Sequence, residues 1–220
     1  MQAEPKAVLW DYDGTLVDTE PIWQASEASI LAEHGVTFSE QQWESMTGQD
    51  ARLSAETVAA AIGSDDVDAV LDDVQQRVVD TINAQDLPYL PGSRELLGEL
   101  AERGVPCAVV TASSGFVMTA ARNRLPSNVE FLITSDDVVR TKPHPEGYRI
   151  AMERLGVEPH EVVVLEDSVP GTLAALASGA VVYAVPSVPL DPHPRMHIGE
   201  GLDGVSWEML ADVWRARKDA

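Results

Sequence analysis

Five short runs along the chain are nearly continuous in apolar and β-branched residues: Ala7–Trp10, Cys107–Thr111, Phe131–Thr134, Val162–Leu165 and Val181–Val185. Unbroken apolar runs of this length, without polar alternation, predict strands of a parallel sheet covered on both faces. Between them the period changes to that of helices. Ser93 stands where it would cap RELLGELAER, with Gly104 at its end, and Pro145 opens PEGYRIAMERLG, with Gly156 at its end. Val169–Ala177 and Trp207–Arg217 predict two further helices. This alternation predicts an α/β fold built on a doubly wound, Rossmann-like parallel sheet.

One interval breaks the alternation. Residues 19–87 hold no convincing strand but three or four helical stretches. The clearest is VDAVLDDVQQRVVDTI, where Val67, Val70, Leu71, Val74, Val78 and Ile82 recur on one helical face. About seventy residues is too long for a simple crossover. The interval therefore reads as a helical domain inserted after the first strand, with hinges near Asp18–Pro21 and at LPYLPG, residues 87–92. The expected organisation is a core of 1–18 and 88–220 with an insert of 19–87. The Pro- and Gly-rich stretch 186–204 is expected to be an irregular surface loop, with His193 and His197 solvated rather than ligating a metal.

Charge narrows the function classes. The formal net charge is −21. Such a polyanion is ill suited to nucleic acid or an anionic membrane surface, so neither is expected as a partner. The N-terminal stretch lacks a basic region followed by a long apolar one, and no run approaches the ~18 apolar residues of a membrane span, so a cytoplasmic location is expected. Nothing in the sequence demands more than a monomer. Cys107, the single cysteine, reads as a core thiol in a strand. Only three lysines occur, Lys6, Lys142 and Lys218, which makes a chemically engaged lysine easy to nominate.

Ligands of open α/β sheets bind beyond the carboxyl ends of the strands. The first strand is followed by Asp11-Tyr12-Asp13-Gly14-Thr15, and the second ends in Thr111-Ala112-Ser113-Ser114-Gly115. The third leads to Thr141-Lys142-Pro143-His144-Pro145, and the fourth to Glu166-Asp167-Ser168. Carboxylates gathered at one edge need a cation, and hard oxygen donors without a Cys or His cluster suit Mg²⁺ rather than zinc. The small turn Ala112–Gly115 leads into a helix, so its N–H groups and the Thr111 hydroxyl form a candidate phosphate cradle. Lys142 would add a point charge to the same phosphate.

These motifs resemble those of the haloacid dehalogenase superfamily. Asp11-Tyr12-Asp13-Gly14-Thr15-Leu16-Val17-Asp18 is similar to its first motif; Thr111, Lys142 in Lys-Pro-His-Pro, and Glu166-Asp167-Ser168-Val169-Pro170-Gly171 match the second, third and fourth in order. The insert resembles the helical cap of the β-phosphoglucomutase-like branch. The resemblance implies an aspartyl-phosphate mechanism on a small phosphorylated metabolite: Asp11 as nucleophile, Asp13 as general acid and base, and Thr111, Ala112 and Lys142 on the phosphate. It implies a Mg²⁺ site formed by Asp11, Asp13 through its backbone carbonyl, and Asp167. Glu166 is read either as a direct metal ligand or as a partner one contact removed. Two unit charges 4 Å apart repel by about 4 kcal/mol at an effective dielectric of 20. Metal and lysine would offset that cost for a carboxylate approaching a phosphate.

The expected activity is a Mg²⁺-dependent phosphatase for a small phosphomonoester, a sugar or polyol phosphate. The alternatives are a hexose-phosphate mutase of the β-phosphoglucomutase type and a phosphate-binding protein without turnover. Gly48, Arg52, Trp23 and Ser113 are candidate substrate contacts. Trp23 stands where the mutase resemblance would want a histidine, which favours hydrolysis. Cap closure would exclude bulk water.

Overall fold

The computed structural model describes residues 3–46, 50–186 and 188–220. Its elements run β1 (Ala7–Trp10), α1 (Glu20–Glu33), α2 (Glu40–Met46), α3 (Ala51–Ile62), α4 (Val67–Ala84), α5 (Ser93–Glu102), β2 (Cys107–Val110), α6 (Gly115–Arg122), β3 (Val129–Ile133), α7 (Glu146–Leu155), β4 (Val162–Glu166), α8 (Val169–Ser178), β5 (Val181–Ala184), β6 (Met196–Ile198) and α9 (Trp207–Arg217). The described residues form two compact units. One comprises the chain up to Asp18, Pro88–Ser114 and 124–220; the other comprises Thr19–Leu87 together with Gly115–Asn123.

The first unit is a six-stranded, all-parallel sheet of order β3-β2-β1-β4-β5-β6. The order reverses between β1 and β4, so their carboxyl ends lie side by side at the topological switch point. Alternation along the strands decides what each face carries. Ala7 and Leu9 of β1 and Val162 and Val164 of β4 join one buried cluster with Tyr148, Ala151, Ala174 and Ala175 of α7 and α8. Contacts of α9 with β4 and β5, and of α5 with α9, cover the opposite face. Cys107 is buried and free, and burial pushes its thiol up to about 12, as expected of a core residue.

Two local expectations are corrected. The stretch 186–204 is not wholly irregular: Met196–Ile198 adds β6 in parallel to the edge of the sheet, with Met196 buried and the His197 ring 4.9 Å from that of Tyr183. Three residues are too few for a period to register among prolines and glycines. Ser93 does not cap α5; Gly92, at φ +80°, precedes the helix, and the Ser93 hydroxyl donates to the carbonyls of Leu16 (2.7 Å) and Leu90 (2.8 Å). The serine thus ties the segment after β1 to the chain returning from the insert.

In the second unit α1, α3 and α4 pack together, and α6 packs on α4. Val70, Val74, Val78, Val79 and Ile82 form the buried stripe of α4, whereas Val67 and Leu71 at its start are only half-buried. Arg77 of α4 bridges Glu33 of α1 (2.7 Å) and Asp73 (3.0 Å). No helix among the described residues is long and apolar enough to cross a membrane.

Candidate active site

Register builds the site. Trp10 pairs with Leu165, and the Asp11 N–H donates to the Leu165 carbonyl at 3.0 Å. Asp11 and Glu166 are therefore level, each one step beyond that pair. Ala7, Leu9 and Asp11 share a parity, as do Val162, Val164 and Glu166, so both carboxylates emerge on the face covered by α7 and α8. Carboxylate oxygens of Asp11, Glu166 and Asp167 lie within 4.8 Å of one another, the only such metal-capable cluster among the described residues.

Lys142 arrives from the loop before α7. Its Nζ lies 2.5 Å from Asp11 Oδ1 and 2.5 Å from Glu166 Oε1. Its side chain is 9% exposed. Glu166 is fully buried and fully engaged. Oε1 also accepts from the Tyr148 hydroxyl at 2.8 Å, while Oε2 accepts from the N–H groups of Asp167 and Ser168 and from the Ser168 hydroxyl, each at 3.1 Å. Of the three clustered carboxylates, Glu166 is thus the one bound most tightly to the protein itself. Asp167 receives the Thr15 hydroxyl at 3.1 Å on Oδ1. Asp13 Oδ2 receives the hydroxyls of Thr111 (3.1 Å) and Ser113 (2.7 Å). The Ser113 N–H donates in turn to Thr111 Oγ1 at 3.0 Å, and Ala112 lies exposed between them.

The electrostatics are those of an acid-rich pocket. Burial holds the Asp11 carboxyl well above the usual carboxylate range despite the attraction of Lys142, and Glu166, Asp167 and Asp13 push the same way. Asp167 is pushed up to about 6, by burial first and Glu166 second. Burial alone would lower the Lys142 amine, but the Asp11 and Glu166 charges outweigh it and hold it above its usual value. One ammonium facing this many carboxylates leaves room for further positive charge, and the donors are all hard oxygens.

The haloacid dehalogenase-like hydrolase family model matches residues 8–185, from β1 to the end of β5. The chain belongs to that family. Among its relatives, validoxylamine A 7'-phosphate phosphatase of Streptomyces hygroscopicus subsp. limoneus is 34% identical over 182 residues, 79% of this chain and 82% of that protein. Hexitol phosphatase A of Escherichia coli is 33% identical over 197 residues, 87% of each chain. The crystal structure of a putative β-phosphoglucomutase from Thermotoga maritima is similar in fold, with a TM-score of 0.71 at 24% identity over 96% of this chain and 98% of that one.

Within this haloacid dehalogenase-like chain, Asp11, Asp13, Thr111, Ala112, Ser113, Lys142, Glu166 and Asp167 all lie in the first unit, at the carboxyl edge of the sheet. Trp23 is half-buried on α1 of the second unit. Arg52 is exposed on α3, where it pairs with Asp68 (2.9 Å) and Glu56 (3.8 Å). Gly48 lies outside the described residues. Sequence reasoning gave no role to Thr15 and Ser168, which stand in the quoted motifs, and missed Tyr148; their hydroxyls orient the acidic groups. Ser168 also carried a local signal, as the cap position before α8, where it accepts the Gly171 N–H at 3.0 Å.

Proposed function

We propose that the protein is a Mg²⁺-dependent phosphatase of small polyhydroxylated phosphomonoesters, sugar or polyol phosphates, working through a phosphoryl group carried on Asp11. The observation that carries this reading is the convergence of Asp11, Asp167 and Lys142 at the β1–β4 switch point with Asp13 beside them. The names of relatives, a validoxylamine phosphate phosphatase and a hexitol phosphatase, support that substrate class. In this reading Asp11, Asp167 and the Asp13 backbone carbonyl hold the metal, while Glu166 serves Lys142, since its oxygens are already occupied. When bound, the metal supplies charge neutralisation for the approach of one anion to another.

The chain's own groups divide the remaining work. Lys142 and the Thr111–Ser113 turn bind the phosphate oxygens. An Asp11 carboxylate oxygen forms a bond to phosphorus as the bond to the leaving alkoxide breaks. Asp13 gives its proton to that alkoxide, then takes one from the water that attacks phosphorus and frees Asp11. The hydroxyls of Thr111 and Ser113 hold Asp13 in place for both transfers. The sum is ester plus water giving alcohol plus phosphate.

A panel of phosphate esters, including hexitol phosphates and both hexose phosphate isomers, tests this with and without a chelator. Mg²⁺-dependent phosphate release is expected, fastest on polyol or sugar phosphates. Interconversion of hexose phosphates without free phosphate would identify a mutase, and no turnover with any ester would identify a binding protein.

A further inference from the structure

Lys142 lies on a loop, yet both of its ion pairs measure 2.5 Å. That loop, residues 138–145, links a short 3-10 turn at Ser135–Asp137 to α7. The turn is fixed by Asp137 Oδ2, which accepts the Thr134 N–H and hydroxyl, both at 2.9 Å. Within the loop the His144 N–H donates to the Thr141 carbonyl at 2.9 Å, closing a turn around Lys142. A side-chain clamp reaches this loop from the first residue of α7: Glu146 Oε1 accepts the Val139 N–H at 2.8 Å. Its Oε2 faces Arg140 Nε at 3.6 Å and His144 Nδ1 at 3.7 Å. Glu146 thereby touches the loop on both sides of Lys142, at 139–140 and at 144. The Val139 N–H, with that of Arg140, holds the Glu146 carboxyl below its usual range.

The rest of the first turn of α7 is committed to the same neighbourhood. A Cβ on Gly147 would come within 2.9 Å of Val110 Cγ1, so the turn sits close against the end of β2. Tyr148 donates to Glu166, and its ring lies 5.3 Å from Lys142 Nζ. Consecutive positions of one helical turn thus hold the loop, meet the sheet and orient the lysine's partner.

We propose that Glu146 is a positioning residue for the reaction: by accepting the Val139 N–H it locks the loop that delivers Lys142 between Asp11 and Glu166. This rests on the reading of Lys142 as the phosphate ligand, but its test does not. An acidic residue at a helix start also favours the helix dipole whatever it touches. Glu146→Gln separates the two roles, because it keeps an acceptor for the N–H and loses the charge.

The three lysines make the test direct. Reductive methylation of the full-length protein at fixed pH, followed by peptide mass spectrometry, reads Lys142 against Lys6 and Lys218. Lys142 is expected to react about tenfold more slowly than Lys6, whose side chain is 62% exposed. Glu146→Ala should raise Lys142 labelling about tenfold with Lys6 and Lys218 unchanged, and Glu146→Gln should keep it protected. Val139→Pro removes the donor instead, at a side chain that is 91% exposed and after a residue, Val138, already extended at φ −127°, ψ 151°. It should expose Lys142 as Glu146→Ala does. Continued protection of Lys142 in both Glu146→Ala and Val139→Pro, or equal exposure in Glu146→Gln, would overturn the proposal. With an active enzyme, the inhibition constant of inorganic phosphate should rise about tenfold in Glu146→Ala and stay near wild type in Glu146→Gln. If the wild type hydrolyses no ester, the phosphatase reading fails while the labelling still decides the role of Glu146.

Discussion

Two glycines set how closely acidic side chains approach the backbone around the site. A Cβ on Gly171 would fall 1.8 Å from Glu166 Oε1, and one on Gly14, at φ +85°, would fall 2.3 Å from Asp167 Oδ2. Glu166 cannot swing aside cheaply, because both its oxygens are held by hydrogen bonds. Gly171→Ala is therefore expected to displace Glu166 and with it Lys142. It should lower kcat/KM by about 10²-fold and destabilise the fold by about 1–3 kcal/mol, checked by steady-state kinetics and thermal melting. Unchanged kinetics would mean that Glu166 does not set the lysine. At this scale the sequence was legible where chemistry follows a strand end. Asp11, Asp13 and Asp167 could be nominated because they follow the ends of apolar runs, and Lys142 because lysines are scarce in the chain. Tyr148 and Glu146 could not, since their partners, Glu166 and Val139, are fixed only by how a loop and a helix fold back.

The elements explain why these residues meet. Parity along β1 and β4 sends Asp11 and Glu166 to the same face, and the Trp10–Leu165 register makes them level. Apolar runs announced the strands but not their order, so adjacency of β1 and β4 remained an inference until the sheet was known. The short edge strand β6 left no periodic trace at all. In the helical unit, α1 buries a carboxylate that its apolar pattern did not foretell: Glu27 is 6% exposed, accepts a hydrogen bond from Ser54 of α3, and is pushed up to about 7 by burial. Because the folded value exceeds the ordinary 4.5, the folded state holds that proton more tightly than the unfolded chain does. Its contribution is fully present at low pH and is lost as pH rises through about 7. Glu27→Gln should thus raise the melting temperature at pH 8 and give no gain at pH 4. A uniform effect across that range would show that packing, not ionisation, governs the position.

Across the whole molecule, charge repeats at large what the site does in small. A chain of net charge −21 gathers Asp11, Glu166 and Asp167 around one lysine at the edge where its sheet order reverses. Asp167 is raised to about 6 from an ordinary 3.8, so its contribution to stability is present at low pH and is lost as pH rises through about 6, and a divalent cation offsets that loss. Mg²⁺ should therefore raise the melting temperature well above pH 6 and much less at pH 4, where Asp167 holds its proton; equal stabilisation at both would place the ion elsewhere. The phosphoryl transfer itself is tested most directly in Asp13→Asn given an aryl phosphate with Mg²⁺. Such a leaving group needs no proton, so Asp11 can still take up the phosphoryl group, but no base remains to activate the water that should release it. After an acid quench, peptide mass spectrometry should find one phosphoryl group on the peptide carrying Asp11, and none in Asp11→Asn. Phenol release with no phosphoryl group on the protein, or with one on any other residue, would contradict the account.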